Sequence, residues 1–253
     1  MKAPIQRTCA WAIWAAVRGI LNRDPSLSDL NDVDLLLTDI DTSRFPQAAE
    51  QGIKVHSGFQ DTFQRTADGI LAGVSSALQS TGVTTVLVTG HSQGAPALHV
   101  GNGIPSANAP ASRCGAAALA TTTGAMLKLA LAPSVQVVVT PFGLPRGGNK
   151  AWADFLDSTV RRCPPALSSP RDVSALTTLV GVTFVTNQND PVPTLPPLIL
   201  GFVHPSGEIH IVDSSQKNLV ACPGHDNAHC ATGKSLLHAS LADHHGAQFV
   251  VTI

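Results

Sequence analysis

From Gly58 to Ser80 the apolar residues Phe59, Phe63, Ile70, Leu71, Val74 and Leu78 fall at spacings of three and four or their multiples, which predicts one long helix with a core-facing side. The run Thr84 to Thr89, TTVLVT, is β-branched and free of charge, and predicts a strand buried on both faces. Val135 to Thr140 and Val182 to Thr186 repeat that pattern, whereas Glu208 to Val212 alternates and predicts a further, more exposed strand. Extended and helical patterns alternate along the chain, which is the mark of strands joined by helical crossovers into a mainly parallel sheet, so the expected class is α/β with flanking helices. Two stretches break the rhythm. Gly101 to Arg113, GNGIPSANAPASR, and Arg162 to Arg171, RCPPALSSPR, are rich in turn-forming residues with little to bury, and both read as insertions.

The first residues, MKAPIQR followed by CAWAIWAAV, have the basic start and short apolar run of a secretory signal. Trp11 and Trp14 are bulky and no clean A-x-A site precedes Arg18, so Ala10 to Val17 reads equally well as a buried strand and the signal is not convincing. No apolar stretch reaches the roughly 18 to 20 residues needed to cross a bilayer.

Composition narrows the function classes. The 253 residues suit a single domain, and 43% hydrophobic against 13% charged residues supplies a core and excludes charge-driven disorder. Lys+Arg number 16 against Asp+Glu 17, with no basic run longer than two, so nucleic acid is not an expected partner. Tyrosine is absent, which removes any chemistry that needs a phenol. The five cysteines leave at least one thiol outside any intrachain set of disulfides. Cys222 and Cys230 bracket CPGHDNAHC, a loop that a disulfide could close in an exported protein. The same loop holds Cys222, His225, His229 and Cys230, residues of zinc-ligand type, although four ligands in so short a segment leave little slack for a tetrahedron.

Directly after the strand Thr84 to Thr89 stands Gly90-His91-Ser92-Gln93-Gly94, a G-x-S-x-G sequence. A serine on a tight strand-to-helix turn has a strained backbone, and the flanking glycines let neighbouring chain approach, so the hydroxyl is presented at the sheet's edge. The NH of Gln93 at the start of the following helix can face an oxyanion. Such a nucleophile needs a carboxylate and a histidine, which in this fold class follow in the order Ser, Asp, His. Asp190 in TNQNDPVPTLPP lies just past the strand Val182 to Thr186, at a strand's carboxyl end; its alternative is a simple Asp-Pro turn. His244 follows both in order, in competition with His91, His99, His204, His210, His225, His229, His238 and His245, while His56 precedes the serine.

Taken together, KVHSGF (Lys54 to Phe59), VTGHSQG (Val88 to Gly94), FGLPRGGN (Phe142 to Asn149), NDPVPTLPP (Asn189 to Pro197), GFVHPSGEIHI (Gly201 to Ile211), ACPGHDNAHC (Ala221 to Cys230) and ADHHG (Ala242 to Gly246) resemble the class 3, or fungal triacylglycerol, lipases, and among them the basidiomycete members. The segments keep the family's order from about Asp24 onward. The resemblance implies an α/β-hydrolase fold, Ser92 as nucleophile, Asp190 as orienting carboxylate, His244 as base, the Gln93 NH as oxyanion donor and a Cys222–Cys230 disulfide in place of zinc. It further implies hydrolysis of carboxylic esters, triacylglycerols foremost, through an acyl-enzyme, with no metal or organic cofactor. An extracellular location, a lipid or other ester substrate met at a lipid–water interface, and a monomer are expected with it.

The departures from the family carry weight too. GAAALATTTGAMLKLAL, which suits the helix after the nucleophile, begins only at Gly115, and deleting 94–114 would join Gln93 to Gly115 as GHSQGAAALATTTG. A second excess spans about 161–178, and each stretch contributes a stray cysteine, Cys114 and Cys163. Both read as retained introns or similar errors of gene structure. The family's second oxyanion donor has no evident counterpart, since Arg23 precedes Asp24-Pro25 and Arg18-Gly19-Ile20 offers no hydroxyl. These departures support one rival reading, a silent lipid-binding homologue or faulty gene product; a feruloyl or other aryl esterase of the same family is a second, and a zinc-dependent hydrolase built on the ligand types of the 222–230 loop a third.

Overall fold

The computed structural model describes residues 36–92, 97–100, 117–160, 182–215 and 218–245. In chain order these form strands β1 (Leu37–Asp39) and β2 (Lys54–His56), helix α1 (Ser57–Thr81), strands β3 (Thr85–His91) and β4 (Ala97–Val100), helix α2 (Ala117–Ala130), strands β5 (Gln136–Phe142) and β6 (Gly148–Asn149), helix α3 (Lys150–Thr159), strands β7 (Phe184–Asn187), β8 (Phe202–Val203), β9 (Glu208–Ile211) and β10 (Leu219–Cys222), and the short helix α4 (Leu241–His245). The main sheet has six strands in the order β10-β9-β7-β5-β3-β4. Its inner pairs, β9 with β7, β7 with β5 and β5 with β3, are parallel, and antiparallel strands close both edges. A smaller antiparallel sheet runs β1-β2-β6-β8.

The long amphipathic helix forms as its spacing predicts. Phe59, Phe63, Ile70 and Val74 of α1 are buried with Val86 and Val88 of β3 and Val137 and Val139 of β5, and Leu71 and Leu78 pack against the margin of this core. Helix α2 presses on the same sheet face. A Cβ on Gly124 would lie 2.3 Å from Val139 Cγ2, so this glycine sets how closely α2 sits on β5.

Two strand expectations change. TTVLVT was expected to be buried on both faces, yet Val86 and Val88 are buried while Leu87 and Thr89 are half-buried. The described helices that enter the main core cover the face bearing the two valines, which leaves the other less enclosed. Conversely, Glu208 to Val212 was expected to be the more exposed strand, and all four residues of β9 are buried. Its pattern alternates because Glu208 and His210 are polar, but β9 lies inside the sheet between β7 and β10, where polar side chains are buried in a network of their own.

Of the stretch 94–114, Ala97–Val100 forms the edge strand β4. The rest of it beyond residue 100, the excess at 161–178, the segment Ala10 to Val17, Asp24-Pro25 and the oxyanion candidate Gln93 lie outside the described residues.

Candidate active site

Strand β3 runs two residues further than the TTVLVT pattern and delivers Ser92 at its carboxyl end. Ser92 adopts φ +59°, a left-handed backbone that a non-glycine residue holds only when its surroundings impose it. The imposition is visible on both sides of the peptide unit. Ser92 N donates to Phe142 O at 3.1 Å, and Ser92 O accepts from Ala117 N, the first residue of α2, at 2.7 Å. The amino end of α2, with its partial positive charge, is thereby tied to the serine's own peptide.

Asp190 follows β7 and is 2% exposed, and His244 on α4 is 3% exposed. His244 Nδ1 lies 2.9 Å from Asp190 Oδ2, and His244 Nε2 lies 2.8 Å from Ser92 Oγ. An ionised carboxylate only accepts, so the imidazole proton sits on Nδ1 and Nε2 is left to accept from the serine hydroxyl. Asp190 Oδ1 accepts from Val192 N at 2.8 Å, which fixes the carboxylate's second oxygen. The arrangement can draw a proton from Ser92 Oγ and hold the resulting imidazolium beside a carboxylate.

Three of the competing histidines stand elsewhere. His204 is buried with Nε2 donating to Pro193 O at 2.8 Å, His210 Nδ1 donates at 2.9 Å to Thr186 Oγ1, whose own proton goes to Glu208 Oε1, and His225 Nε2 lies 3.0 Å from Asp157 Oδ2. The side chains of His99 and His245 are outside the described set.

Cys222 and Cys230 are joined by a disulfide, so the four-residue zinc set read from the sequence does not form: the sulfurs are bonded to each other and His225 is turned to Asp157. Among the described residues, the potential ligand atoms that come together are those of Glu208, Cys222 and Cys230, and the disulfide occupies both thiols of that group.

Two residues that frame the site were not singled out in the sequence. Gly143, at φ +55° just past β5, lies where a Cβ would come within 3.1 Å of Asp190 Oδ2 and 3.2 Å of His244 Cε1. Arg146 is 2% exposed and donates to Asp226 Oδ1 at 2.8 Å, Thr232 Oγ1 at 3.1 Å and the carbonyl oxygens of Thr194 at 2.5 Å and Pro196 at 2.9 Å. It fastens the segment after Asp190 to the disulfide loop. Both stand in FGLPRGGN, a motif whose position after a strand was the one available signal.

A mainly parallel sheet, a strained serine at a strand's carboxyl end and a carboxylate beyond a later strand define the α/β-hydrolase fold. Solved structures agree on the fold: lipase II of Rhizopus niveus superposes with a TM-score of 0.59 at 21% identity, covering 86% of this chain and 64% of that one, and the nonglycosylated LIP2 lipase of Yarrowia lipolytica with 0.60 at 25%, covering 83% and 62%. The family pattern Lipase (class 3) matches residues 28–98. The secreted mono- and diacylglycerol lipase MDL5 of Malassezia globosa is 32% identical over 220 residues, 87% of this chain and 56% of its own length. The secreted mono- and diacylglycerol lipase LIP2 of Malassezia restricta is 29% identical over 238 residues, 94% and 61% respectively. The chain belongs to the class 3 lipase family, and it spans little more than half the length of these relatives.

Proposed function

We propose that the chain is a serine ester hydrolase acting on acylglycerols. The observation that carries this reading is the continuous relay from Ser92 Oγ through His244 to Asp190, with contacts of 2.8 and 2.9 Å, on a serine whose backbone is held at φ +59°. Ser92 Oγ attacks the ester carbonyl carbon while its proton passes to His244 Nε2, and Asp190 stabilises the imidazolium. The tetrahedral intermediate collapses as His244 returns the proton to the leaving alcohol, and water releases the acyl group by the same steps in reverse. Gln93 NH is the proposed oxyanion donor. The sequence pointed to triacylglycerols, whereas the curated relatives are named for mono- and diacylglycerols, which favours partial glycerides as the substrate.

Two exposed apolar turns support action at a lipid surface. Leu198–Leu200 follows the segment that bears Asp190, and Leu236–His238 precedes α4; Ile199 and Leu237 are each 92% exposed. Secretion is proposed on the names of the relatives.

Hydrolysis of dissolved p-nitrophenyl butyrate and of emulsified diacylglycerol by the full chain and by Ser92→Ala tests the reading. Ser92→Ala is expected to lose at least about 10⁴-fold in kcat on both substrates. Equal turnover in the two proteins sinks the proposal and leaves a silent lipid-binding homologue. Activity confined to feruloyl esters moves the substrate class while keeping the mechanism.

A further inference from the structure

The base stands near the carboxyl end of the described part of helix α4, Leu241–His245. Two side chains supply donors there. His91 Nε2 lies 2.9 Å from the carbonyl oxygen of His244, and Asn187 Nδ2 donates to the carbonyl oxygen of Asp243 at 2.8 Å. A carbonyl only accepts, so His91 carries its proton on Nε2. The His91 ring also lies against the ring of His244, with centroids 4.5 Å apart and planes inclined by 31°.

The origin of these two donors gives them meaning. His91 immediately precedes Ser92 at the end of β3, and Asn187 is the last residue of β7, on the segment that leads to Asp190. Each strand that delivers a partner of the base therefore also sends a side chain to the backbone of α4, at the base itself or at the residue before it. Movement of either strand end carries the base along with the group it must meet. Backbone contacts add to the same seam: Asn189 N donates to Asp243 Oδ2 at 3.2 Å, and Ser240 N donates to Asn189 O at 3.0 Å.

We propose that His91 and Asn187 are positioning residues that hold His244 between Ser92 and Asp190. The proposal rests on the reading of Ser92, His244 and Asp190 as the reacting relay, and it assigns neither residue a contact with the ester. Its force comes from geometry: both contacts of the imidazole must be kept at once, and a misplacement of about 1 Å in such a constellation costs about 10²-fold in rate.

Three variants of the full chain test it. His91→Phe keeps a flat ring against His244 and removes the donor; His91→Gln restores a donor at a similar reach; Asn187→Asp keeps the shape and turns an acceptor toward the Asp243 carbonyl. Turnover of p-nitrophenyl butyrate is read together with hydrogen exchange of the amides of 241–245, the latter also with Ser92→Ala added. His91→Phe and Asn187→Asp are expected to lose about 10²-fold in kcat with KM within about 2-fold of the parent, and His91→Gln to recover to within about 10-fold. Exchange at 241–245 should quicken in the two damaging variants while exchange in β3 and β5 stays as in the parent. Parental kcat in both, or an equal loss in His91→Gln and His91→Phe, overturns the proposal. Should Ser92→Ala hydrolyse the ester as well as the parent, the relay reading fails by itself, and exchange at 241–245 still decides whether the two side chains hold the helix.

Discussion

At the scale of single residues, the site depends on one position having no side chain at all. Gly143 faces the Asp190–His244 contact from β5, and an added methyl would lie 3.1 Å from Asp190 Oδ2 and 3.3 Å from His244 Nδ1. Its φ of +55° further disfavours any other residue. Gly143→Ala is therefore expected to lower kcat by about 10- to 10²-fold by forcing the carboxylate and imidazole apart, with a stability loss of about 1–3 kcal/mol measured by urea unfolding. Parental kcat in that variant would show that the pair can yield. Ser92, Asp190 and His244, which the structure brings within hydrogen-bond distance, could be proposed from the sequence because the proposed reaction dictates their chemical types and chain order, and order together with the family motif singled out His244 among ten histidines. Gly143 was not legible as a site residue. The reason for its small size is a contact between the segment after β7 and helix α4 that only the folded chain brings together.

At the scale of elements, the link between the nucleophile and α2 explains the break in the sequence pattern. Ala117 N donates to Ser92 O at 2.7 Å across an intervening stretch of chain. If 94–114 were removed, Ala117 would stand four positions after Ser92, through Gln93, Gly115 and Ala116, and the same contact would be the first i to i+4 hydrogen bond of a continuous helix. The fold thus already places α2 where an uninterrupted chain would start it. The deletion removes β4, a short antiparallel edge strand paired to β3, so its gain in helix continuity is set against an exposed sheet edge. We predict that the chain lacking 94–114 folds with helical circular dichroism intact and hydrolyses p-nitrophenyl butyrate at least as fast as the parent. Loss of both would mean that β4 is required. Helix α1 was readable from periodicity, since burial against one face is what the pattern encodes; the charge-free runs marked where strands lie, but not that the second face of β3 is only half-buried. The position of β9 was not, because a polar pair in a strand looks solvent-facing until the partners that satisfy it, Thr186 and the backbone N–H of Ala231, are brought alongside.

Across the whole molecule, that polar interior should make stability depend on pH. Burial lowers His210 to about 4, with the charge of Lys234 adding to the effect. Burial also lowers His204, although Asp226 nearby works against it. In the unfolded chain both would titrate near 6.5. As pH falls below about 6.5 the unfolded histidines take up protons that the folded ones refuse, so the folded state loses ground until about pH 4, by at most about 3 kcal/mol for each. Glu208 runs the other way: burial raises its pKa, so the stability it carries is present below its unfolded value and fades as pH rises through its folded one. The two trends oppose each other, two histidines against one carboxyl. Urea midpoints measured from pH 7 to pH 4.5 should therefore fall steadily, with a shallower slope in His210→Gln, which cannot charge, and a steeper one in Glu208→Gln, which lacks the opposing group. A midpoint that stays level over this range, or a slope unmoved by His210→Gln, would mean that the buried histidines accept protons in place, with the network around Thr186 rearranging to receive them.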